Sequence, residues 1–233
     1  MSFNDLKKFL LPQLDIQTLA NREFKAKNLK DISDEYVKGF LNDLNKVIKE
    51  SVTTEDQIDT LVNNILGNIF EFHAYPLRIR LNITGEPYVT AIPDYLVDWE
   101  DINELVVEDK QLRNAALIPS KGYGEAQLAA ELLACGSENM RELALRKSDV
   151  MSDQIIFGVR VISTYFTFYK AVISAKYFNE LDLHLPLKES VVIQRWPENE
   201  HPKAGLNILK PDERLEALGA FAGIRKYIVN KWN

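Results

Sequence analysis

Apolar residues recur at a helical spacing in the amino-terminal third of the chain. Residues 1–50 contain two such segments, and the second follows Ser33 and Asp34, which are residue types that cap helices. A third segment opens with Thr53-Thr54-Glu55-Asp56, a cap with acids in the first turn, and its apolar stripe continues to Ile69. The pattern predicts a helical annex over residues 1–50, followed by a helix that packs on a sheet.

The apolar period changes to two where Leu77–Ile83 alternates strictly between apolar and polar residues. This alternation predicts a strand with one face in water, and Gly85-Glu86-Pro87 ends it. Tyr88–Val97 is predicted to be its hairpin partner. Glu104–Lys110 is predicted to be a third strand, and its more continuous apolar run indicates that it is more deeply buried. Together these segments would form the centre of a sheet.

The carboxyl-terminal half continues with a helix and a second hairpin. Glu125–Cys135 has a helical pattern that ends at Gly136, and a helix after a buried strand is the expected crossover connection. Gln154–Ile162 and Thr164–Ile173 are β-branched and aromatic runs joined by a short turn. The remaining predicted elements are an edge strand at Val191–Ile193 and a last helix that starts at Pro211. We therefore predict an α/β fold with helices flanking a central mixed sheet, in which residues 51–233 form one domain.

Composition narrows the class of protein. Of the 233 residues, 46% are apolar and 27% are charged, which is typical of a soluble globular chain. No apolar run reaches the roughly 18 residues of a membrane span, and the amino end has acids where a signal peptide has its apolar stretch. We therefore expect an intracellular protein, in the cytoplasm or nucleus, with no membrane partner. The single cysteine, Cys135, excludes an internal disulfide framework and a multi-cysteine zinc site.

The net charge of −6 is concentrated in one segment. Ala91–Lys110 contains seven acidic residues and one lysine, so it carries the whole excess while the rest of the chain is balanced. This distribution argues against a globally basic nucleic-acid-binding protein. Concentrated acid is costly in a folded protein unless water or a cation neutralises it. The segment is therefore interpreted either as a solvated loop or as a metal-binding region.

Candidate chemistry falls in order on this scaffold. Pro93-Asp94 lies on the second predicted strand, Glu108-Asp109-Lys110 at the end of the third, and Gln127 within the helix that follows. Because Glu108 and Lys110 are two residues apart on a strand, both side chains point to one face and that of Asp109 to the other. Asp94, on an adjacent antiparallel strand, would reach the same face as Glu108. Two neighbouring carboxylates suit Mg²⁺, which keeps several waters and binds substrate phosphate.

This order of motifs resembles the PD-(D/E)xK nuclease superfamily, whose signature is matched by Pro93-Asp94 and Glu108-Asp109-Lys110. Within that superfamily, the strings VVEDK, GYGEAQLAAELLA and TYFTFYKA look like the restriction-endonuclease-like domains of Crinkler-type effectors and related fungal proteins. The resemblance covers roughly residues 53–175. It implies a restriction-endonuclease-like fold and cleavage of phosphodiester bonds in DNA or RNA, by water that Mg²⁺ or Mn²⁺ activates.

The resemblance also implies a role for each matched residue. Asp94 and Glu108 would bind the metal, and the main-chain carbonyl of Asp109 would add a ligand. Lys110 would be catalytic, because its ammonium would orient the attacking water or steady phosphate charge. Gln127 would be an ancillary active-site residue.

Further residues would complete such a site. The resemblance implies an acid on the preceding helix, for which Glu55 is the first choice and Asp59 the second. Phosphate binding also needs positive charge. The basic residues that flank the matched strand and helix are Arg113, Lys121, Arg141, Arg146 and Lys147.

The same residues also have structural interpretations. A glutamate and a lysine two apart occur on many surface strands, and Gln127 would then be a helix-surface amide. Glu125 lies about 200° from Gln127 around the helix, and would favour the helix dipole rather than the metal. The alternative function is a catalytically inactive scaffold of the same fold. It would bind nucleic acid or a protein partner, with the helical annex as the interface. A further alternative is an effector that is secreted and then translocated.

Overall fold

The structure, a computed structural model, describes residues 34–49, 55–70, 77–110, 124–146, 152–198 and 205–232. The described helices are α1 (Glu35–Lys49), α2 (Glu55–Phe70), α3 (Glu125–Leu145), α4 (Ala175–Leu181) and α5 (Pro211–Trp232). The described strands are β1 (Ile79–Ile83), β2 (Glu86–Ala91), β3 (Tyr95–Trp99), β4 (Ile102–Lys110), β5 (Gln154–Ile162), β6 (Tyr165–Ile173), β7 (Val192–Trp196) and β8 (Leu206–Asn207). None of these helices is both long enough and apolar enough to cross a lipid bilayer.

The central sheet has six strands in the order β3-β4-β5-β6-β7, with β8 paired to β6. The pair β4 and β5 is parallel, whereas the other pairs of this sheet are antiparallel. Parallel neighbours need a crossover, and α3 supplies it between β4 and β5. The predicted α/β class with a mixed central sheet is therefore confirmed.

The predicted hairpin forms between β1 and β2, but its second strand has the wrong bounds, because residues 88–97 do not form a single strand. β2 ends at Ala91 and pairs only with β1, in a separate two-stranded sheet, while β3 begins at Tyr95 and pairs with β4. Between them stands Pro93, which has no amide hydrogen to donate to a ladder. The chain thus leaves one sheet and enters the other at this proline, although the sequence alternates on both sides of it.

The central sheet is buried on both faces. Apolar side chains of α1, α2 and α5 cover one face, where they meet Leu105 and Val107 of β4. Apolar side chains of α3, α4 and β1 cover the other, where they meet Val106. Leu41 and Leu44 of α1 belong to the same apolar cluster as the sheet. Residues 1–33 of the predicted annex lie outside the described residues, and a domain boundary at residue 50 stays a prediction.

A buried ion pair attaches α5 to the start of β4. A bulge between Val97 and Asp98 of β3 leaves Glu104 as the extra residue of β4. The Glu104 carboxylate is fully buried, and its Oε1 accepts hydrogen bonds from Lys231 Nζ at 2.6 Å and from Trp232 Nε1 at 2.9 Å. Burial raises the pKa of Glu104, while the Lys231 ammonium and the Trp232 indole act in the opposite direction.

Gly136 does not end a helix, contrary to the sequence prediction. It lies inside α3, which continues to Leu145. A Cβ atom at Gly136 would lie 2.7 Å from Cζ of Phe178 and 3.0 Å from Cδ1 of Ile173. The glycine therefore allows α3 to approach β6 and α4 closely, and a larger residue would push these elements apart.

Gly67 provides a matched comparison, since it lies in α2 with nothing within 4 Å of an added Cβ. We expect Gly136→Ala to lower the free energy of unfolding by about 1–3 kcal/mol through overpacking. We expect Gly67→Ala to raise it by about 0.5–1 kcal/mol, because alanine loses less backbone entropy on folding. Urea unfolding measures both changes. Partial rescue of Gly136→Ala by Phe178→Leu is expected, and equal effects of the two alanines would contradict the close approach.

Candidate active site

The predicted catalytic strand ends in two buried acids. Glu108 is 1% exposed and Asp109 is fully buried, although carboxylates are seldom buried without partners. Their side chains lie on opposite faces of β4, because successive residues of a strand alternate. Lys110 is the last residue of β4, and its side chain lies outside the described residues. The end of this central strand therefore brings negative charge into the protein interior.

Asp94 lies beside this strand end, but it is not on a strand as predicted. It belongs to the bend that precedes β3. Because Tyr95 of β3 pairs with Val107, the preceding residue is brought to the end of β4. Oδ2 of Asp94 accepts a hydrogen bond from the main-chain N–H of Asp109 at 2.8 Å. The bond fixes one carboxylate oxygen of Asp94 next to the Glu108-Asp109 pair.

Gln127 contacts Glu108 directly, as its predicted ancillary role requires. The chain turns into α3 through Gly124, whose φ of 74° is a conformation that favours glycine. Gln127 then lies in the first turns of α3, where its Nε2 donates to Oε1 of Glu108 at 2.6 Å. The same nitrogen donates to Oε1 of Glu131 at 3.0 Å. The amide thus joins the strand carboxylate to a second carboxylate on the helix.

Glu131 is a site residue that the sequence analysis missed. It is 1% exposed, and burial raises its pKa to about 8, with the nearby Glu108 carboxylate as the next cause. A hydrogen bond between the two carboxyl groups also favours its protonated form, whereas the Gln127 bond opposes it. Burial and the Glu108 carboxylate therefore both favour the protonated form of Glu131. The signal that would have found it is its position four residues after Gln127, on the same helix face.

A second group of acidic residues, which includes Asp109 and Asp59, lies near Tyr95 on the opposite face of β4. The hydroxyl of Tyr95 donates to the main-chain carbonyl of Asp59 at 2.8 Å. Burial raises the pKa of Tyr95, and the carboxylates of Asp59, Asp109 and Asp94 raise it further. Asp59, the second choice for the helix acid, is thus near the strand end. The first choice, Glu55, begins α2, but its side chain lies outside the described residues.

A cluster of arginines beside Glu108 was also missed. Arg160 of β5 is the register partner of Glu108 and is only 2% exposed. Its Nη1 lies 3.6 Å from Oε1 of Glu125, which also accepts a 2.7 Å hydrogen bond from the Tyr169 hydroxyl. Nε of Arg195 lies 3.2 Å from the same oxygen. Glu125 therefore pairs with arginines, which the helix-dipole interpretation did not anticipate.

Of the five flanking basic residues, the structure describes two, Arg141 and Arg146, and both pair with acids outside the site. Arg146 pairs with Asp101 at 3.2 Å, and Arg141 lies 3.5 Å from Glu138. Asp101 directly precedes β4, so Arg146 is roughly 20 Å from Glu108 at about 3.3 Å per strand residue. The other candidates, Arg113, Lys121 and Lys147, lie outside the described residues.

The residue types at the strand end fit a hard divalent cation by their donor chemistry. Asp94, Glu108 and Glu131 supply only oxygen atoms, which Mg²⁺ and Mn²⁺ prefer. Within the described ranges, however, no group of three or more His, Cys, Asp and Glu side chains is arranged to hold a metal ion. A cation here would therefore depend on few protein ligands and several waters, as Mg²⁺ commonly does.

The fold and the site together define an α/β protein with an acidic cluster at the end of its central parallel pair. Comparison of the chain with family models, with curated proteins and with solved structures gives no match. The geometry and charge of the site are therefore the basis for a functional proposal.

The raised pKa of Glu131 predicts a pH-dependent stability. Because the folded state holds this proton more tightly, its stabilising contribution is complete below about pH 4.5 and is lost as the pH rises through about 8. In EDTA, the wild type is expected to lose on the order of 2–4 kcal/mol of its free energy of unfolding over that range, and Glu131→Gln is expected not to show this loss. Urea unfolding from acidic to mildly alkaline pH measures it.

Glu138→Gln is the control, because Glu138 lies on the same helix and forms an exposed ion pair with Arg141. Its stability should follow that of the wild type across the pH range. Parallel profiles for Glu131→Gln and the wild type would contradict a raised pKa at Glu131.

Proposed function

We propose that this protein is a metal-dependent nuclease that hydrolyses phosphodiester bonds of DNA or RNA. The observation that carries the proposal is the convergence of Asp94, Glu108 and Gln127 at the end of β4. These residues come from three separate places in the chain, in the order that the PD-(D/E)xK resemblance requires. A surface Glu-x-Lys pair does not explain it, because Glu108 is buried and bonded to the helix amide.

The proposed division of roles follows from the contacts. Asp94 and Glu108 would hold Mg²⁺ or Mn²⁺, with the carbonyl of Asp109 as a further ligand. The bound ion would lower the pKa of a water and stabilise charge on the phosphate. The amide of Asp109 fixes the orientation of Asp94, and the amide of Gln127 fixes that of Glu108. Lys110, the last residue of β4, would orient the attacking water.

A non-catalytic scaffold that binds nucleic acid or a protein is the second candidate function. It is favoured by the fact that the described residues hold no ready group of three metal ligands. It is also favoured by the Gln127 amide, which donates to Oε1 of Glu108 without a cation. The two functions share a fold and differ in metal binding and turnover.

Cleavage assays with labelled DNA and RNA, single- and double-stranded, in Mg²⁺ or Mn²⁺ test the proposal. We expect Asp94→Asn, Glu108→Gln and Lys110→Met each to lower the rate roughly a hundredfold or more. Each change keeps the side chain close in size, and the melting temperature should show that the fold survives. Asp98→Asn is the control, since Asp98 belongs to the same acidic segment but accepts from Asp101 at the far end of β3. Cleavage that survives all three changes would refute the proposed roles.

Metal binding gives a test that does not require the right substrate. Mn²⁺ at a hundredfold excess over its Kd would stabilise the protein by about 2.7 kcal/mol, which raises Tm by roughly 5–10 °C in a chain of this size. The shift should shrink in acid, because protons compete for the carboxylates. It should disappear in the double variant of Asp94→Ala and Glu108→Ala, and persist in Asp98→Ala. An equal shift in wild type and double variant, or none in either, would leave the scaffold function.

A further inference from the structure

A second polar cluster lies on the same face of the sheet and extends from β5, the neighbour of β4, to β7. Its members are Glu125 at the start of α3, Arg160 on β5, Tyr169 on β6 and Arg195 on β7. The carboxylate of Glu125 is the centre, because both guanidinium groups and the tyrosine hydroxyl approach its Oε1. This cluster has no role in the metal chemistry proposed for Asp94 and Glu108.

The cluster brings two like charges together inside the protein. Arg160 is almost fully buried, and Tyr169 lies under its guanidinium, 6.0 Å from the ring centroid. Burial lowers the pKa of Arg160, the Glu125 carboxylate opposes that, and the Arg195 charge lowers it further. Tyr169 stays neutral because burial raises its pKa. Arg160, Arg195 and Glu125 have formal charges that sum to +1, which favours an anionic ligand at the partly exposed Arg195 side chain.

Arg195 connects this cluster to a pocket on the surface. A cavity of about 290 Å³ is lined by Arg195, Tyr169 and Glu125 at a polar end, and by Leu128, Leu132 and Ile193 along an apolar wall. The Arg195 side chain keeps 16% of its surface exposed, whereas Arg160 is hidden behind it. A ligand would therefore meet Arg195, whose guanidinium is held by Glu125, and Arg160 contacts the same carboxylate.

The chemistry of the pocket matches one class of ligand. A guanidinium fork binds the oxygens of a phosphate with two hydrogen bonds, and an apolar wall next to it accepts the face of a nucleobase. Strands are about 4.8 Å apart, so Arg195 on β7 lies about 14 Å across the sheet from Glu108 on β4. A few nucleotides of a single strand cover that distance, which allows one strand to occupy both places.

We propose that Arg195, positioned by Glu125, binds a backbone phosphate of the nucleic acid, a few nucleotides from the bond that is cleaved. This inference rests on the proposed function for the identity of the ligand. It does not depend on catalysis, because the contact forms without a metal ion.

Binding in EDTA tests the contact apart from cleavage. The probes are a short fluorescent single-stranded DNA and the RNA of the same sequence, and fluorescence anisotropy is measured over a range of salt concentrations. We expect Arg195→Gln to weaken binding about tenfold and to reduce the slope of log K against log salt by about 0.7, the contribution of one phosphate contact. Arg195→Lys, which keeps the charge, should retain most of the salt slope.

Arg78→Gln is the matched control, because Arg78 is an exposed arginine just before β1, which belongs to the separate two-stranded sheet. It should bind like the wild type. Unchanged affinity and slope in Arg195→Gln, or no binding of either probe by the wild type, would overturn the inference. If Arg195→Gln binds weakly as expected but the wild type cleaves nothing with Mg²⁺ or Mn²⁺, the phosphate contact stands and the nuclease proposal fails. If the wild type cleaves and Arg195→Gln binds normally, the nuclease proposal stands and the phosphate contact of Arg195 fails.

Discussion

The structure depends on the need to neutralise acids on a central strand that is buried on both faces. Glu104, Glu108 and Asp109 of β4 are all at most 1% exposed. Buried carboxylates are unfavourable unless hydrogen bonds, protons or cations compensate them, so each face of the strand must supply partners. Lys231 and Trp232 of α5 supply them to Glu104, while α3 supplies the Gln127 amide to Glu108. The helices that cover the sheet are therefore held by charge as well as by apolar packing.

Most elements could be predicted from the sequence, because apolar residues repeat with the period of the structure that buries them. The exceptions are the segments around Gly136 and Pro93, where the local sequence favours one structure and contacts with distant residues favour another. Gly136 has the signature of a helix end, yet its small size admits Phe178 and Ile173, which come from later in the chain. Alternation continues on both sides of Pro93, and only the pairing of β3 with β4 shows that two sheets meet there. In both cases the deciding neighbour is distant in sequence, and local pattern carries no information about it.

The residues of the site differ in the same way: some could be predicted from the local sequence, and others depend on strand pairing. Asp94, Glu108 and Gln127 could be singled out together because their order along the chain resembles the PD-(D/E)xK signature, although Asp94 lies in a bend and not on the predicted strand. Arg160 and Arg195 could not, because their places follow from the parallel register of β4 with β5 and from the pairing of β6 with β7. Arg160 did leave a local signal, as a lone charge within the apolar run of β5, which a buried strand seldom carries without a partner.

The position of α3 explains both the acidic cluster and the arginine cluster. The first two turns of α3 send Gln127 and Glu131 toward β4 and Glu125 toward β6 and β7, since residues two apart point about 200° away from each other. Negative charge thus gathers on one side of the helix and positive charge on the other. A phosphodiester strand carries negative charge that the arginines attract and the carboxylates repel, unless a cation lies between it and them. Under the proposed function, the metal ion would therefore act first as the group that makes the acidic half of the site accessible to its substrate, and only then in the chemistry.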